Sequence, residues 1–434
     1  MRRFLLPSLL GVIVFFCPVL TDERQTIVFA LLTDGLRSLA GQWLFELLLM
    51  QLGVAAVGAL AWRLGVRCAG GLAVAAFDTG WPWVLLRWLG FVLGLLVYCD
   101  LGPALLIAPD TGVTVFNDIG LSMFLIFVVG IALLPLITDY GLLEYVGTLA
   151  RRPFEWLFRL PGRAAVDTLA SIVSASSIGL LMTLSQYERG YYSTREAATI
   201  ACNFSIVSIP FCILIADVAG LETLFFGWYL SVLAACFVCA AVLARIPPLA
   251  RLPEDRVIGQ SPDDGSSRGS GLAAAAEAAV ARAATAPGFR AYVQTALRNY
   301  VFTAFAVIGP SMVLATLAAV LMFHTAVFDW LAWPVSALLD AFGVASSTAI
   351  APGFVVGFFD QFMPALVAAR LDDPFWHFVL GGLAVAQLVF LSEFVLIVLR
   401  STLPVGLGVL GAVFVLRTLI ATPVLMIGGY WVVG

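Results

Sequence analysis

The chain has 434 residues, of which 62% are hydrophobic and 12% charged, and its formal net charge is −4. A soluble globular chain is about half apolar and about a quarter charged, so this composition excludes a water-soluble domain. All the basic residues are arginine, which favours a bacterium with a GC-rich genome. No basic stripe with interleaved aromatic residues occurs, so nucleic-acid binding has no support.

Apolar runs of about 20 residues, the length that crosses a bilayer, recur along the chain. They predict transmembrane helices near residues 3–20, 42–63, 84–107, 119–138, 195–216, 223–245, 299–322, 375–399 and 404–429. We interpret the first run as an uncleaved helix, because no small-x-small cleavage site precedes Thr21. Arginines gather in alternate connections, most densely in 151–195 and 245–298. This asymmetry predicts a multi-pass protein of the bacterial inner membrane with a cytoplasmic N-terminus.

Two further apolar segments, residues 163–189 and 344–369, are interrupted in the middle by small and polar residues. The first contains a serine-rich stretch at 174–179, and the second contains Pro352-Gly353 and then the polar stretch 357–361. Each half has about a dozen residues, which is too short to cross a bilayer. We therefore predict that each segment enters and leaves the membrane on one side, as a re-entrant helical hairpin.

The same order of predicted elements occurs twice along the sequence. An amphipathic stretch precedes each hairpin, at 144–162 and 328–343, and a helix with polar residues at mid-depth follows it. By the arginine count, the two hairpins enter from opposite sides, as in an inverted-topology repeat. The sequence thus predicts an all-α polytopic membrane protein with about nine transmembrane helices and two re-entrant hairpins in an inverted repeat.

This pattern divides the chain into four parts. They are N-terminal scaffold helices (1–118), a first repeat (119–246) with hairpin 163–189, a cytoplasmic linker (247–298), and a second repeat (299–434) with hairpin 344–369. The linker is the longest hydrophilic stretch, and the segments 253–255 and 261–270 are typical of flexible chain. Its alanine-rich part, 272–286, predicts a helix. A connector between two halves and a regulatory loop both remain open.

Three stretches carry a resemblance to a known family: residues 138–147 (TDYGLLEYVG), 158–167 (FRLPGRAAVD) and 188–198 (ERGYYSTREAA). They resemble the Gate-domain membrane proteins of nucleoside recognition, which share a repeat with concentrative nucleoside transporters and with the membrane part of ferrous-iron transporters. The resemblance covers roughly 119–245 and, more weakly, 300–430. The chain looks like a fused form of paired Gate proteins such as the spore-maturation pair. Similar architectures allow a homo-oligomer.

Candidate binding residues are polar side chains predicted to lie at membrane depth. Half-helix N-termini offer amide donors to anions there, and unwound carbonyls can hold a cation. The candidates are Ser174, Ser176 and Ser177 at the first hairpin tip, Asp360 and Gln361 beside the second, Asn203, Ser205, Gln387 and Ser392 in the helices after the hairpins, and the charged residues Glu393 and Arg417. The resemblance implies substrate contacts for the polar residues after the hairpins. Interhelical packing and hydrogen bonding are the alternative for the serines and amides.

Two interpretations of Glu393 and Arg417 stay open, because a charge inside the membrane needs a partner. They could pair with each other. Alternatively, Arg417 meets a substrate carboxylate or phosphate while Glu393 couples protons or Na⁺.

No nucleophile–base set, phosphate-binding loop or metal-ligand cluster appears, so we expect no enzyme, no bound metal and no cofactor beyond a coupling ion, Na⁺ or H⁺. Cys236 and Cys239 supply only half a zinc site and are interpreted as small buried side chains. The leading hypothesis is a secondary active transporter of a small polar solute, nucleoside- or nucleobase-like by resemblance. An amino-acid or organic-anion transporter using Arg417 and a non-transporting membrane assembly or signalling component are the alternatives.

Overall fold

The computed structural model describes residues 2–16, 18–20, 25–66, 71–133, 135–162, 164–173, 176–207, 209–257 and 271–434. These residues are mostly helical, with one pair of three-residue antiparallel strands, β1 (Pro18–Leu20) and β2 (Gln25–Ile27). They form two compact units. The first unit comprises 1–27, 134–286 and 352–434, and the second unit comprises 28–133 and 287–351.

Most of the helices follow one another with short connections, whereas 28 residues separate the helix that ends at Leu243 from the one that begins at Leu272. In chain order they are α1 (Arg2–Phe16), α2 (Val28–Ala40), α3 (Leu44–Arg63), α4 (Gly71–Phe77), α5 (Trp81–Cys99), α6 (Ala104–Ile107), α7 (Leu121–Leu133), α8 (Pro135–Thr138), α9 (Leu142–Phe158), α10 (Ala164–Val173), α11 (Ser176–Glu188), α12 (Thr194–Phe204), α13 (Ile209–Val218), α14 (Phe225–Leu243), α15 (Leu272–Ala284), α16 (Phe289–His324), α17 (Val327–Ala341), α18 (Ser347–Ile350), α19 (Pro352–Val356), α20 (Met363–Ala368), α21 (Pro374–Ala386), α22 (Leu396–Arg400) and α23 (Leu407–Val432). Turns of 3₁₀-helix occur at Gly41–Trp43, Glu222–Leu224 and Leu249–Arg251, and turns of π-helix at Pro109–Val113, Val115–Gly120 and Leu391–Val395.

Seven helical stretches of the described chain are long and apolar enough to cross a membrane. They are Leu31–Arg63, Trp81–Cys99, Val115–Leu133, Glu222–Leu243, Phe289–His324, Pro374–Leu399 and Leu407–Val432. A helix satisfies every backbone hydrogen bond within its own segment, which is what the hydrocarbon core requires. The prediction of an all-α polytopic membrane protein is confirmed.

The number of crossings stays a prediction. The first predicted span is helix α1, which has 15 residues and contains Pro7. A helix of that length is about 22 Å long, shorter than a hydrocarbon core of about 30 Å. The predicted span at 195–216 is divided between α12 and α13.

Both predicted hairpin segments are divided into short helices that pack against each other. Helices α10 and α11 have 10 and 13 residues, and α19 and α20 have 5 and 6. A side chain on Gly179 of α11 would overlap Ser171 of α10, so glycine permits their close approach. Such short helices cannot cross a bilayer singly, although their entry into the membrane from one side remains a prediction.

The two helices that follow the hairpins are both broken. Helix α12 ends at Phe204 and α13 begins at Ile209, whereas α21 ends at Ala386 before the π-helical turn Leu391–Val395. Continuous helices were the expectation at both places. At the first break, proline at 210 has no amide hydrogen to donate to residue 206. At the second, Leu388 adopts a left-handed conformation (φ +57°) that few non-glycine residues take.

The amphipathic stretches before the hairpins form helices α9 and α17, with Pro153 and Pro334 inside them. The side chains of Trp156, Trp330 and Trp333 are 79%, 78% and 69% exposed in their respective units. Large exposed tryptophans on an amphipathic helix are typical of a position in the membrane interface.

The first part of the predicted linker is bound to α12 rather than free. The amides of Thr194 and Arg195 donate to the carbonyl oxygens of Asp255 and Pro253, each at 3.0 Å. These bonds satisfy amide groups that a helix N-terminus leaves without partners. The segment 261–270 lies outside the described residues, so its expected flexibility stays a prediction.

The alanine-rich part of the linker forms helix α15, as predicted, and this helix packs against α9. Gly141 permits the contact, because a side chain there would overlap the backbone of Ala279. Arg282 of α15 reaches Asp139 at 3.2 Å and Glu144 at 3.4 Å. Helix α15 is thus fixed by both packing and charge.

Candidate functional site

Arg417 lies midway along α23 and is fully buried within the first unit. Its Nε donates to the carbonyl oxygen of Ala386 at 2.7 Å. Its Nη1 donates to the carbonyl oxygen of Cys202 at 3.2 Å and to Oδ1 of Asn203 at 2.8 Å. Ala386 ends α21, and Cys202 and Asn203 lie in the last turn of α12. One guanidinium therefore contacts the ends of both broken helices.

These contacts satisfy groups that would otherwise lack partners. The last four carbonyls of a helix have no partner within it and carry partial negative charge. A guanidinium offers five N–H donors in a fixed plane, so it suits several such oxygens at once. The Nη2 atom of Arg417, however, is buried with no hydrogen-bond partner among the described residues. The arginine keeps an unused donor beside the two breaks.

Gln387 lies directly after α21, at the second break, and is buried. Its Nε2 donates to the carbonyl oxygen of Phe354 and to Oγ1 of Thr418, both at 2.9 Å. Its Oε1 lies against Gly357 and is buried with no hydrogen-bond partner in the described part of the chain. Gln387 therefore ties the break to α19 and α23 and keeps an unused acceptor.

Asp360 and Gln361 lie in the turn between α19 and α20, where the sequence placed them, and both are buried. Oδ1 of Asp360 accepts from the amide of Phe362 at 2.9 Å. Nε2 of Gln361 is another buried donor for which the described residues supply no partner.

Backbone hydrogen bonds hold this turn against the second break. The amide of Leu391 donates to the carbonyl oxygen of Phe358 at 2.7 Å, and that of Ser392 donates to Phe359 at 3.2 Å. The hairpin therefore satisfies two amides at the start of the π-helical turn Leu391–Val395, where a helical segment lacks internal partners for its first amides.

The remaining candidates have different outcomes. Ser205 is buried at the position that ends α12. Glu393 is half-buried in the π-helical turn after the second break. Ser174 lies outside the described residues, as do the side chains of Ser176 and Ser177 at the start of α11. The role of the first hairpin tip stays a prediction.

Sequence reasoning missed a buried polar pair between the first hairpin and the turn that follows it. The hydroxyl of Tyr192 donates to Oδ2 of Asp167 at 2.6 Å, and both side chains are at most 1% exposed. The signal was present, because Asp167 and Tyr192 belong to two of the three stretches that carry the family resemblance. Contact between them could not be read from their spacing.

A separate polar cavity of about 240 Å³ opens where the linker meets α12. Its lining is Phe158, Arg159, Leu160, Ser193, Arg195, Glu196, Thr199, Ala244, Glu254 and Arg256. Arg195 pairs with Glu254, and Arg256 pairs with Glu196 at 3.5 Å. These charges largely compensate one another, so the cavity is a weaker candidate site than the helix breaks.

Comparison with known proteins identifies the family. The sequence pattern of the Gate family, described as nucleoside recognition, matches residues 120–222. A protein of Alkalihalophilus pseudofirmus, described as uncharacterized, is 30% identical over 438 residues, covering 98% of this chain and 93% of the relative. The chain belongs to the Gate family. The Gate match contains Asp167, Tyr192 and Asn203, whereas Asp360, Gln387 and Arg417 lie in the part that the relative alone covers.

Proposed function

We propose that this Gate protein is a secondary active transporter that moves a small polar solute by alternating access. Three buried polar atoms beside the helix breaks carry the proposal: Nη2 of Arg417, Oε1 of Gln387 and Nε2 of Gln361 have no hydrogen-bond partner in the described chain. Buried polar groups are normally paired, and leaving one unpaired costs about 1–3 kcal/mol. A solute with complementary donors and acceptors would remove that cost.

A nucleoside or nucleobase is the first choice of solute. These molecules present both donors and acceptors, as the amide groups of Gln361 and Gln387 do, and the Gate family is described as nucleoside recognition. Na⁺ or H⁺ is proposed as the coupling ion, since unwound helix segments and a buried carboxyl group such as Asp360 are suited to either.

An amino acid or another organic anion is the second candidate. The unused Nη2 donor of Arg417 favours it, because a guanidinium binds carboxylates through paired hydrogen bonds. A non-transporting membrane assembly or signalling component is the remaining alternative.

The proposed location is the bacterial inner membrane with the N-terminus in the cytoplasm. The uneven distribution of arginine between alternate connections supports this orientation. A homo-oligomer is part of the proposal by analogy with similar architectures, as is the origin of the chain by fusion of two Gate proteins.

The test is thermal unfolding of the detergent-purified protein with nucleosides, nucleobases, amino acids and organic anions, with and without Na⁺ and at several pH values. A ligand that binds only the folded state raises the midpoint by mass action. We expect a nucleoside or nucleobase to do so, with the shift reduced in Gln387→Ala and Gln361→Ala. Gln294→Ala is the matched control, because Gln294 is exposed in the second unit.

The other outcomes decide between the candidates. A shift with organic anions alone would replace the nucleoside by the second solute class. No shift with any ligand, in a sample that unfolds cooperatively, would contradict the transporter and favour the assembly component.

A further inference from the structure

We infer that Arg417 is a tethered cation, which occupies the place of a bound ion between the two helix breaks and holds α12 and α21 at a fixed separation. Nothing in this inference depends on which solute is transported.

The first argument is the chemistry of the oxygens around the guanidinium. The carbonyl oxygens of Cys202 and Ala386 and the side-chain oxygen of Asn203 are all neutral acceptors, at 2.7–3.2 Å from the guanidinium nitrogens. Carbonyl oxygens at the C-terminal ends of broken helices are the groups that hold a monovalent metal ion in transporters. Here the same kind of oxygen set surrounds a positive charge that is bonded to the chain.

The second argument is the way the cation is anchored. Helix α23 packs against α14 and α21. The thiol of Cys239 contacts the carbonyl oxygen of Arg417 at 3.6 Å. A free ion can diffuse away from such oxygens, whereas this guanidinium stays covalently attached to α23.

The third argument is the free-energy cost of burying a positive charge. A buried positive charge is expensive unless it is hydrogen-bonded, and Arg417 is 0% exposed. The carbonyls of the two helix ends provide that compensation together. Separating either helix from Arg417 would remove part of that compensation and leave a carbonyl oxygen of that helix without its partner, so movements at the two breaks are expected to be coupled.

The experiment is chemical rescue of Arg417→Ala, a variant that removes the cation and leaves its oxygens in place. Unfolding midpoints are measured for the wild type and the variant against millimolar guanidinium chloride, with urea as the neutral molecule of similar shape. We expect a lower midpoint for Arg417→Ala, recovery of at least half of the loss with guanidinium, and no recovery with urea. The wild-type midpoint should not rise with guanidinium.

Hydrogen exchange supplies a readout that simple loss of packing would not give. In Arg417→Ala the amides of segments 202–209 and 386–391 should both exchange faster, and guanidinium should slow both. Faster exchange at one break alone, or a folded Arg417→Ala protein that guanidinium does not stabilise, would overturn the inference.

A second pair of variants keeps the test decisive if Arg417→Ala does not fold. Arg417→Lys keeps a positive charge on a flexible chain, and Arg417→Met keeps comparable volume without charge. A tethered cation predicts a higher midpoint for the lysine variant than for the methionine variant. An equal or lower midpoint for lysine would refute it. Because neither experiment uses a solute, failure here leaves the proposed transport to be judged by its own test.

Discussion

The amide oxygen of Gln387 fills the space that a side chain on Gly357 would need. A Cβ built on Gly357 would overlap this oxygen and stand 3.1 Å from both Cδ of Gln387 and Cγ of Pro364. Gln387 cannot swing away cheaply, because its Nε2 is bonded to Phe354 and Thr418. The second hairpin and the second helix break therefore interlock at a glycine.

Substitution Gly357→Ala should force Gln387 out of these hydrogen bonds and destabilise the protein by about 1–3 kcal/mol. Thermal unfolding in detergent measures the effect. Gly411→Ala is the matched control, because no described residue lies within 4 Å of a side chain at Gly411 in α23. Alanine is also the better helix former there, so the control midpoint should stay level or rise.

The double variant Gly357→Ala/Gln387→Ala tests the cause. If the clash with Gln387 is responsible, shortening that side chain makes room for the new methyl group, and the two effects should be clearly less than additive. Additive losses of stability would show that the clash with Gln387 is not the cause.

Substitution Gly141→Ala should detach α15 from α9. Gly141 has φ +97°, and a side chain there would overlap the backbone of Ala279, which cannot move aside alone. We expect faster amide exchange across Leu272–Ala284. Gly343→Ala carries similar backbone strain (φ +74°), and no atom in the described part of the chain lies within 4 Å of a side chain there, so it should leave exchange in α15 unchanged. Equal effects of the two variants would show that strain alone, and not the contact, matters.

The carboxyl group of Glu144 should make stability depend on pH. Burial raises the pKa of Glu144, and Arg282 opposes part of that rise. The folded state therefore binds this proton more tightly than the unfolded state. Its contribution to stability is present below the ordinary pKa of glutamate and is lost as pH rises through the raised value.

The unfolding midpoint of Glu144→Gln, which stays neutral, should accordingly rise relative to that of the wild type as pH increases from about 4 toward neutral. Glu155→Gln in the same helix is the control, because Glu155 is exposed and forms an i,i+4 pair with Arg151 on the helix surface. A constant difference between Glu144→Gln and the wild type across this range would rule out the titration.

Tyr192→Phe should weaken the anchoring of the first hairpin. The lost hydrogen bond, 2.6 Å long, ends on the buried carboxyl group of Asp167, and a typical intramolecular hydrogen bond contributes about 0.5–1.5 kcal/mol. Unfolding midpoints compared with Tyr430→Phe measure the effect, since Tyr430 is 69% exposed. Indistinguishable midpoints for the two variants would mean that the pair contributes nothing to stability.

The sequence was informative wherever local composition decides structure. Pro153 and Pro334 with their flanking tryptophans marked the amphipathic helices, and small residues marked the middles of the hairpins. The helix breaks were not predicted, because hydropathy measures the transfer of side chains into lipid and carries no information on the partners of backbone hydrogen bonds. Residues 195–216 and 375–399 therefore looked like ordinary spans.

The contacts of the candidate site were equally hidden. Asn203 and Arg417 are 214 positions apart, yet they share a hydrogen bond. One sequence shows that both are polar in apolar surroundings and gives no information on which partner each finds. The same holds for Gly357 and Gln387, because their close contact depends on the absence of a side chain at Gly357.

Complete burial also makes Arg417 a natural reporter of motion. Phenylglyoxal modifies only the guanidinium groups that it can reach, and Arg417 is 0% exposed. The rate of labelling at this position would therefore report how often the core of the first unit opens, as amide exchange reports local unfolding. Mass spectrometry of the labelled peptide would measure the rate of labelling. A molecule that changes this rate would be identified as a ligand without a transport assay.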